Sequence, residues 1–382
     1  MLVHKVLVVG AGIGGLGAAA LLGQRGVQVD VIEARPDSAV LGVGINQPAN
    51  SLRALARIGV LDECLRAGYS HSGNTFFDWH GNLIVDCPSR LGDDIVPANS
   101  ALSRAELKRI LLGAAESAQA KIRYGVTVET LADDGEQVLV RTSDGASELY
   151  DLVIGFDGAK SAMREMVVGP DHDPVFTGYG VWRKTVRRDP SVTNTLLFQG
   201  DRSKAGVIPL SQESMYLFLV TPEPGNPRHD RADFATLLRA RLAGYQGIIG
   251  ALRDGLDGPE GIVYSPLNEV LLPAPWHRGR LVVLGDAAHM AAPHLTQGAG
   301  MALEDAAVLA EELERGTDLD PAMAAFMNRR YERVKLVHDA SHAILVGEMA
   351  IDAAAIPTAS EHMRETLPAQ TAAVEDALNR PF

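Results

Sequence analysis

Apolar residues in the first part of the chain form short unbroken runs that alternate with longer segments of helical spacing. An apolar run over 5–9 precedes a small-residue helix over 16–23, and a second run over 27–32 is followed by an acidic residue. A glycine-rich link over 41–46 leads to a further helix around 49–58. This strand-helix-strand alternation predicts a parallel sheet covered by helices.

The next part of the chain predicts two kinds of sheet. Residues 75–97 are short aromatic and β-branched runs broken by turn residues, which is typical of hairpins and predicts a contribution to another sheet. Ser103 and Glu106 stand at the spacing of a capping box, so a helix is predicted from there to about residue 118. Two antiparallel strands are predicted over 126–140 and a buried parallel strand over 150–156.

A β-rich block over 175–266 follows, with one predicted helix over 231–242. The run over 280–285 returns to the character of a buried parallel strand, and helices are predicted over 298–314 and from 321 to about 355. We therefore predict an α/β protein whose parallel-sheet domain is interrupted by a mostly β domain. The predicted boundaries are 1–74, 98–175 and 267–320 for the first domain, 75–97 and 176–266 for the second, and 321–382 for a C-terminal helical region.

Composition narrows the class of protein. At 382 residues, with 46% hydrophobic and 22% charged residues, the chain is long enough for two folded domains. A formal net charge of −13 argues against a nucleic-acid partner, because phosphate binding needs clustered Lys and Arg. No apolar run reaches eighteen residues and the first strand begins near the N-terminus, so we expect a cytoplasmic protein without a membrane partner. Cys64 and Cys87 form no redox or metal-binding motif, and no other metal-ligand spacing is convincing.

The first apolar run ends in a G-x-G-x-x-G turn. Gly10 permits the tight turn, Gly12 lets the backbone approach a pyrophosphate, and Gly15 lets the helix lie close to the strand. The pyrophosphate would bind at the helix N-terminus, where unpaired N–H groups and the helix dipole stabilise its charge. Glu33 follows the second run, and its carboxylate can accept hydrogen bonds from an unphosphorylated ribose. These residues predict a dinucleotide site without distinguishing FAD from NAD.

Two later motifs make the prediction more specific. One is DLVIGFDGAKSAMR over 151–164, and the other is GRLVVLGDAAH over 279–289, which continues through PHLTQG at 293–298. Together with the glycine turn they stand in the order found in the class A flavoprotein aromatic hydroxylases, which the chain resembles over nearly its whole length. Members of that family are single-component FAD monooxygenases related to para-hydroxybenzoate, salicylate and hydroxynicotinate hydroxylases.

The resemblance implies both a fold and a reaction. It implies a glutathione-reductase-like, Rossmann-like FAD-binding domain, an inserted mostly β substrate domain and C-terminal helices. It also implies that NADH or NADPH acts as a transient electron donor to FAD and that O2 adds to the reduced flavin as a C4a-hydroperoxide. The oxygen would pass to an aromatic or N-heteroaromatic substrate such as a phenol, a hydroxypyridine or an aromatic carboxylate. The choice of donor and the oligomeric state are left open.

The motifs also assign residues to FAD. Asp286 follows a strand and could accept hydrogen bonds from the ribityl chain, and the helix beginning near Gln297 would direct its amides at the pyrimidine edge of the flavin. The resemblance implies that Asp157 supports FAD and the nicotinamide donor, and that Arg104 reaches FAD. The predicted FAD-binding residues are Gly10, Gly12, Ile13, Gly14, Gly15, Glu33, Ala34, Arg35, Arg104, Val126, Asp157, Gly285, Asp286, Pro293, Gln297, Gly298, Ala299, Gly300 and Met301.

The candidate catalytic residues lie in the loop before that helix. By resemblance, Pro293 passes close to the flavin face, and His294 follows it. His71, His289 and His294 could each deprotonate a phenol, although each could also be a structural histidine. Alternate residues of the β domain could form the floor of an aromatic pocket, and ordinary sheet packing is at least as good an explanation for them. The predicted substrate residues are Trp182, Phe198, Pro209, Met215, Tyr216 and His71.

Some positions depart from the commoner family pattern. Thr296 stands where a glycine often precedes Gln-Gly, Gly300 and Met301 stand where an asparagine is often found, and Phe156 replaces a smaller residue. We therefore expect the hydrogen bonding of the flavin to differ in detail.

Two other functions stay open. A reductase or a halogenase could use the same fold, but the W-x-W-x-I-P signature of flavin halogenases is absent, since Trp182 is followed by Arg183. A non-catalytic nucleotide-binding protein could keep the glycine turn, but retention of Asp157 and Asp286 argues against it.

Overall fold

The computed structural model describes residues 1–37 and 43–382. Its helices are α1 (Ile13–Gln24), α2 (Ala49–Ile58), α3 (Leu61–Ala67), α4 (Arg104–Ser117), α5 (Ala162–Val168), α6 (Phe234–Arg241), α7 (Gly247–Asp254), α8 (Asp286–His289), α9 (Gly298–Arg315), α10 (Leu319–Met349) and α11 (Ile356–Asn379). Its strands are β1 (Lys5–Val9), β2 (Gln28–Glu33), β3 (Gly44–Pro48), β4 (Tyr69–His71), β5 (Gly73–Asp78), β6 (Leu83–Pro88), β7 (Asn99–Ser103), β8 (Lys121–Tyr124), β9 (Val128–Asp133), β10 (Val138–Thr142), β11 (Ser147–Tyr150), β12 (Leu152–Gly155), β13 (Val175–Arg187), β14 (Thr195–Gly200), β15 (Ser203–Pro209), β16 (Ser214–Pro222), β17 (Ile262–Glu269), β18 (His277–Arg278) and β19 (Leu281–Val283). The predicted link over 41–46 lies partly outside the described residues, and its described end forms β3.

A six-stranded sheet carries the glycine turn, in the order β18-β19-β12-β1-β2-β8. β1 pairs in parallel with β2 and β12, and β12 pairs in parallel with β19. Val6, Leu7 and Val8 of β1 are fully buried. Strands of a parallel sheet are covered on both faces, which explains the unbroken apolar runs. The predicted α/β fold class with a Rossmann-like sheet is confirmed.

A second sheet has seven strands in the order β17-β13-β16-β15-β14-β5-β6. The predicted hairpin segment joins it, because β5 pairs in parallel with β14 and antiparallel with β6. Side chains alternate between two faces. The outer face, with Met215 and Leu217 of β16, packs against α6 and α7. The inner face, with Tyr216 and Phe218, lies toward Val43, the strand β7 and the end of α10.

The C-terminal helices connect the two sheets. α10 is 31 residues long, and it contacts α9 near its start and β15 near its end. The helical stretch predicted to run to about 355 ends at Met349, and α11 then packs along β6. Among the described residues, no helix is both long and apolar enough to cross a membrane.

Candidate active site

The G-x-G-x-x-G turn has room only for glycine at two of its positions. Gly10 has a φ of +110°, and a Cβ added there would lie 2.3 Å from the carbonyl oxygen of Phe156. A Cβ at Gly15 would lie 2.0 Å from the carbonyl oxygen of Gly10. A Cβ at Gly14 would meet the ring of Phe156 at 2.6 Å, so the unusually large residue before Asp157 fills the space above the turn. Gly12, by contrast, faces open space.

The N-terminus of α1 is free to bind an anion. No side chain caps it, and its first intrahelical bond runs from Leu16 N to the carbonyl oxygen of Gly12 at 3.0 Å. The backbone N–H groups of Ile13, Gly14 and Gly15 therefore have no helical partner. Together with the open space at Gly12, this arrangement suits a pyrophosphate.

Glu33 is held at the end of β2 by two backbone amides. Its Oε2 accepts from Ala11 N and its Oε1 from Arg35 N, each at 3.0 Å. The carboxylate keeps unused lone pairs, which can accept from a ribose diol. Ala34 and Arg35 are exposed beside it, and Val126 is buried with its amide bonded to the carbonyl oxygen of Glu33 at 3.0 Å.

Asp157 and Arg164 join the second motif to the third. The carboxylate of Asp157 accepts from the Ser161 hydroxyl at 2.5 Å and from Met163 N at 3.0 Å, so it holds both the N-cap residue Ser161 and the first turn of α5. Burial raises the pKa of Asp157, against the effect of these hydrogen bonds. Arg164 is buried and donates to the carbonyl oxygens of Ala287 and Ala159 at 3.1 and 2.9 Å. The direct role of Asp157 toward FAD stays a prediction.

Asp286 is available to a ligand. Gly285 adopts a φ of +60°, and its amide donates to Asp305 Oδ2 at 3.1 Å, which fixes the turn at the end of β19. The next side chain, Asp286, is exposed and makes no hydrogen bond or ion pair with any residue that the structure describes. A carboxylate in this position suits a polyhydroxyl chain.

The N-terminus of α9 resembles that of α1 in having no side-chain cap. The N–H groups of Gly298, Ala299 and Gly300 have no helical partner, because the first intrahelical bond runs from Met301 N to the carbonyl oxygen of Gln297 at 2.8 Å. The Met301 side chain is buried against Arg330. Its amide and side chain are therefore occupied, and this placement does not support the predicted contact of Met301 with FAD.

A buried network of hydrogen bonds and ion pairs connects α9 to α2 and α10. The side-chain amides of Gln297 and Asn50 bond to each other at 2.9 and 3.0 Å, and Asn50 also donates to Glu304 Oε1 at 2.7 Å. Arg330 of α10 donates to Glu304 Oε2 at 2.5 Å and to Asp305 Oδ1 at 2.8 Å. Glu304, Asp305 and Arg330 are fully buried. Sequence reasoning did not identify Arg330, which lies 25 residues beyond Asp305.

The histidine beside the third motif, His289, has a structural role. Its Nε2 lies 2.6 Å from Asp305 Oδ2, and its ring packs on Trp276 with centroids 5.0 Å apart. This side chain is 2% exposed. His289 could be a base that deprotonates a phenol or a structural histidine, and these contacts favour the structural histidine.

His71 belongs to a series of hydrogen-bonded side chains that reaches Thr296, in the loop before α9. Its Nε2 lies 3.1 Å from Asn46 Oδ1, and Asn46 Nδ2 donates to Thr296 Oγ1 at 3.3 Å. Burial lowers the pKa of His71 to about 4, so the ring is neutral near pH 7. Thr296 has a φ of +54°, a conformation that a β-branched residue rarely adopts. The hydrogen bond from Asn46 therefore helps to hold the loop.

The predicted substrate residues divide between the two faces of the seven-stranded sheet. Trp182, Phe198 and Met215 lie in the core of the outer face, and Trp182 Nε1 donates to Glu223 at 3.1 Å. Pro209 pairs with Met215 and shares that orientation. This placement does not support substrate contact by these four residues, because the sheet itself separates them from the inner face. Which face each alternate residue would take could not be read from the sequence.

The inner face carries Tyr216 together with two residues outside the predicted set. Arg183 pairs with Phe218 in the sheet, so both point inward. Burial lowers the pKa of Arg183 to about 10, with the Arg104 cation adding to the effect and Tyr216 opposing it. Arg104, the first residue of α4, and Arg183 of β13 therefore lie close enough for their charges to interact. Within the described ranges, neither guanidinium has a carboxylate at ion-pair distance.

The loop before α9 contains the two predicted catalytic residues. Pro293 begins a short 3-10 turn over Pro293–Leu295. The His294 side chain is 1% exposed, and its Nε2 lies 3.5 Å from Glu348 Oε2 of α10. His294 therefore points away from open solvent, into the contact between α10 and the seven-stranded sheet.

These residues fit a bound FAD. The glycine turn and α1 would supply amides for the pyrophosphate, Glu33 would accept from a ribose, Asp286 would accept from the ribityl chain, and α9 would offer three amides to the flavin ring. The fit rests on two uncapped helix N-termini and on an exposed carboxylate that no described residue engages.

Comparison with known proteins identifies the family. Residues 4–341 match the family described as FAD binding domain. The chain is 31% identical to 6-hydroxynicotinate 3-monooxygenase of Pseudomonas fluorescens, covering 88% of this chain and 90% of that protein. It is 33% identical to 2-heptyl-3-hydroxy-4(1H)-quinolone synthase of Pseudomonas aeruginosa, covering 80% and 79%. The fold matches that of Klebsiella pneumoniae HpxO complexed with FAD and uric acid at a TM-score of 0.89 and 25% identity, over 99% of this chain and 97% of that chain. The predicted family, FAD cofactor and enzyme class are confirmed, and the chain belongs to the FAD-dependent monooxygenases that share this FAD binding domain.

Proposed function

We propose that this enzyme uses NADH or NADPH and O2 to hydroxylate an electron-rich aromatic or N-heteroaromatic ring that carries a negative charge, as a phenolate or a carboxylate. The observation that carries the proposal is Arg183, a half-buried cation on the inner face without a carboxylate partner among the described residues. Two relatives are named for N-heteroaromatic compounds, hydroxynicotinate and a quinolone. Those names support a ring substrate of the same class.

The charge of Arg183 favours an anionic ligand. A guanidinium that loses hydration without gaining a counter-ion is unfavourable, and an anion placed beside it reverses that cost. Arg104 adds a second positive charge nearby. The planar guanidinium also matches a carboxylate with two parallel hydrogen bonds.

The surroundings of Arg183 suit a flat ring. Phe218 is half-buried on the same face, and its ring lies over Gly206. A Cβ added at Gly206 would lie 2.6 Å from that ring, so glycine leaves room for it. Tyr216 is buried and packs against Gly44 of β3. Apolar walls with a few fixed polar groups are typical of a small-molecule site.

FAD, when bound, supplies hydride acceptance and oxygen activation, and the chain supplies position and electrostatics. The free amides of Gly298, Ala299 and Gly300 would favour negative charge at the pyrimidine edge of the ring. The hydrogen-bonded chain from His71 through Asn46 to Thr296 would fix the loop that carries Pro293. His294 would accept the proton of a ring hydroxyl and so raise the nucleophilicity of the ring.

The proposal is tested by ligand binding and flavin reduction with the FAD-loaded enzyme. A panel of aromatic and N-heteroaromatic rings, each with and without a carboxylate or an acidic hydroxyl, is titrated while flavin absorbance and NADH or NADPH oxidation are followed. We expect Arg183→Met to weaken binding of anionic rings by about 10- to 100-fold and Arg183→Lys to lie between, because one charge-assisted hydrogen bond is worth about 1.5–3 kcal/mol.

Arg187 provides the matched control. It lies on the same strand and on the same side as Arg183 but is exposed at the end of the sheet. Arg187→Met should bind the panel as the wild type does. Equal losses in the two variants, or a preference for uncharged rings, would contradict the anionic substrate. Absence of flavin reduction with every ring would contradict the proposed reaction itself.

A further inference from the structure

His294 is a buried side chain that lacks hydrogen bonds to the described residues. It is carried by the 3-10 turn over Pro293–Leu295 and is 1% exposed. Neither Nδ1 nor Nε2 makes a hydrogen bond with any residue that the structure describes. Buried polar groups are normally hydrogen-bonded, so an imidazole without hydrogen bonds in the loop before α9 requires an explanation.

Two charged side chains from different elements meet at this imidazole. Lys204 Nζ lies 2.5 Å from Glu348 Oε2, and these side chains are 8% and 14% exposed. Lys204 projects from the inner face of β15, opposite Val220, while Glu348 comes from the last turn of α10. Glu348 Oε2 also lies 3.5 Å from His294 Nε2. We call Lys204, Glu348 and His294 the inner triad.

The inner triad has perturbed pKa values at both His294 and Glu348. Burial and the Lys204 cation hold the pKa of His294 well below its ordinary value. Burial raises the pKa of Glu348, and Lys204 partly offsets that change. The imidazole is therefore neutral near pH 7, with Lys204 Nζ and Glu348 Oε2 in contact beside it. A proton arriving on the imidazole would find the Glu348 carboxylate 3.5 Å away.

Other titratable groups around the triad are already engaged. Glu269 of β17 accepts from Ala292 N at 3.2 Å and lies 2.7 Å from Nδ1 of His342 on α10. Tyr245, which follows α6, shares a hydrogen bond of 2.8 Å with Ser203. Gln199 Nε2 donates to the carbonyl oxygen of Glu348 at 3.0 Å, and Val181, Val220 and Leu345 supply apolar contacts on this side of the inner face. Lys204 and Glu348 are thus the charged groups nearest the imidazole.

We propose that Lys204 and Glu348 are positioning residues that set the charge of His294 for the reaction. Lys204 keeps the imidazole neutral and ready to accept, and Glu348 stabilises the imidazolium once it forms. In the step itself the ring O–H bond breaks, its electron pair stays on the substrate oxygen, and an N–H bond forms on His294. The enclosed imidazole must shift with its turn to bring one nitrogen to the ligand, as hydrogen bonds in ligand-free enzymes often tighten only in the complex. The assignment rests on the proposed function.

The test uses two substitutions that should act in opposite directions. Titration of His294 is followed by NMR on FAD-loaded protein with ¹³C-labelled histidine, and the signal is assigned with His294→Asn. Lys204→Met should raise the pKa of His294 by about one unit or more, because Lys204 has the same sign of charge as the imidazolium and a nearby like charge disfavours the protonated form. Glu348→Gln should lower it, because the variant removes the carboxylate that favours the imidazolium. Lys204→Arg keeps the charge and should titrate like the wild type.

Lys184→Met is the matched control. Lys184 lies on the outer face of the same sheet, paired with Asp257 at 3.6 Å and far from the inner triad. The acidic limb of turnover should move with the His294 titration in Lys204→Met and stay unchanged in Lys184→Met. An unchanged titration in both Lys204→Met and Glu348→Gln would overturn the triad. A shifted titration with an unmoved turnover profile would overturn its role in the reaction, while turnover itself would leave the proposed function standing.

Discussion

Replacing Arg330 by Met tests whether the buried charges beneath α9 are stabilised by their pairing. The side chains of Arg330, Glu304 and Asp305 are each 0% exposed. Arg330 contacts both carboxylates, at 2.5 and 2.8 Å. Methionine is unbranched and flexible enough to fill most of the same space, so the variant mainly removes the cation.

Arg330→Met leaves Glu304 with a cationic partner but removes the arginine from Asp305. Glu304 keeps Arg333, which donates to it at 2.7 and 3.0 Å. Among the described residues, Asp305 keeps His289 and the amide of Gly285 as its partners. Removing one partner of a buried ion pair costs about 3–5 kcal/mol. At about 2.1 cal/mol/K of unfolding entropy per residue, the 382-residue chain loses about 4–6 °C in its unfolding midpoint.

The midpoint is measured on FAD-loaded protein by far-ultraviolet circular dichroism and by release of flavin fluorescence. Arg315→Met is the control, since Arg315 is 67% exposed and its acidic neighbours lie 3.9 Å away. That variant should shift the midpoint by less than about 1 °C, as exposed pairs contribute little. The double variant Asp305→Asn with Arg330→Met removes the unpaired charge and should recover part of the loss.

Two results would refute this reasoning. One is a midpoint for Arg330→Met no lower than that of Arg315→Met. The other is a double variant whose loss equals or exceeds the sum of the Asp305→Asn and Arg330→Met losses, because the cost would then not arise from a shared pair.

Three further predictions concern single positions. Burial would raise the pKa of Asp305, but His289 and Arg330 hold it below its ordinary value. The stabilisation by the Asp305 carboxylate should therefore be complete above about pH 4 and be lost as pH falls through the folded pKa. Acid unfolding curves should consequently be steeper for the wild type than for Asp305→Asn. Thr296→Gly should be more stable than Thr296→Ala by about 1 kcal/mol in denaturant unfolding, since only glycine avoids the strain of the +54° φ; equal stability would remove the strain argument. Asp286→Ala should raise the FAD dissociation constant by about 10- to 100-fold in a fluorescence titration without changing apoprotein stability, and a destabilised apoprotein would contradict its role as a free ligand acceptor.

Local chemistry explains which parts of the fold the sequence predicted well. The helix beginning after Ser103 is marked by a capping residue, and Ser103 Oγ does accept from Glu106 N at 3.1 Å. The glycine turn is equally local, because Gly10 and Gly15 face backbone atoms a few residues away or on the adjacent strand. By contrast, α7 was not predicted, because it is eight residues long and begins with Gly247, a weak helix former.

The site depends on information that is not local. Alternation shows that Trp182 and Arg183 point to opposite sides, but the tertiary fold decides that Arg183 faces inward. The pairing of Lys204 with Glu348 joins residues far apart in sequence, and no spacing rule predicts it. Met301 shows that a motif position also does not fix side-chain contacts. Its position predicts a contact with FAD, whereas its side chain lies against Arg330.

One helix carries both buried charge systems. Arg330 and Glu348 both belong to α10, eighteen residues or about 27 Å apart along its axis. The first anchors α10 to α9, whose N-terminus is proposed to face the flavin ring, and the second lies beside His294 at the inner face. A tilt of α10 would therefore change the support of α9 and the environment of His294 together. If Arg330→Met lowers stability but leaves the His294 titration unchanged, the two anchors act independently; if both change, α10 couples the FAD site to the substrate sheet.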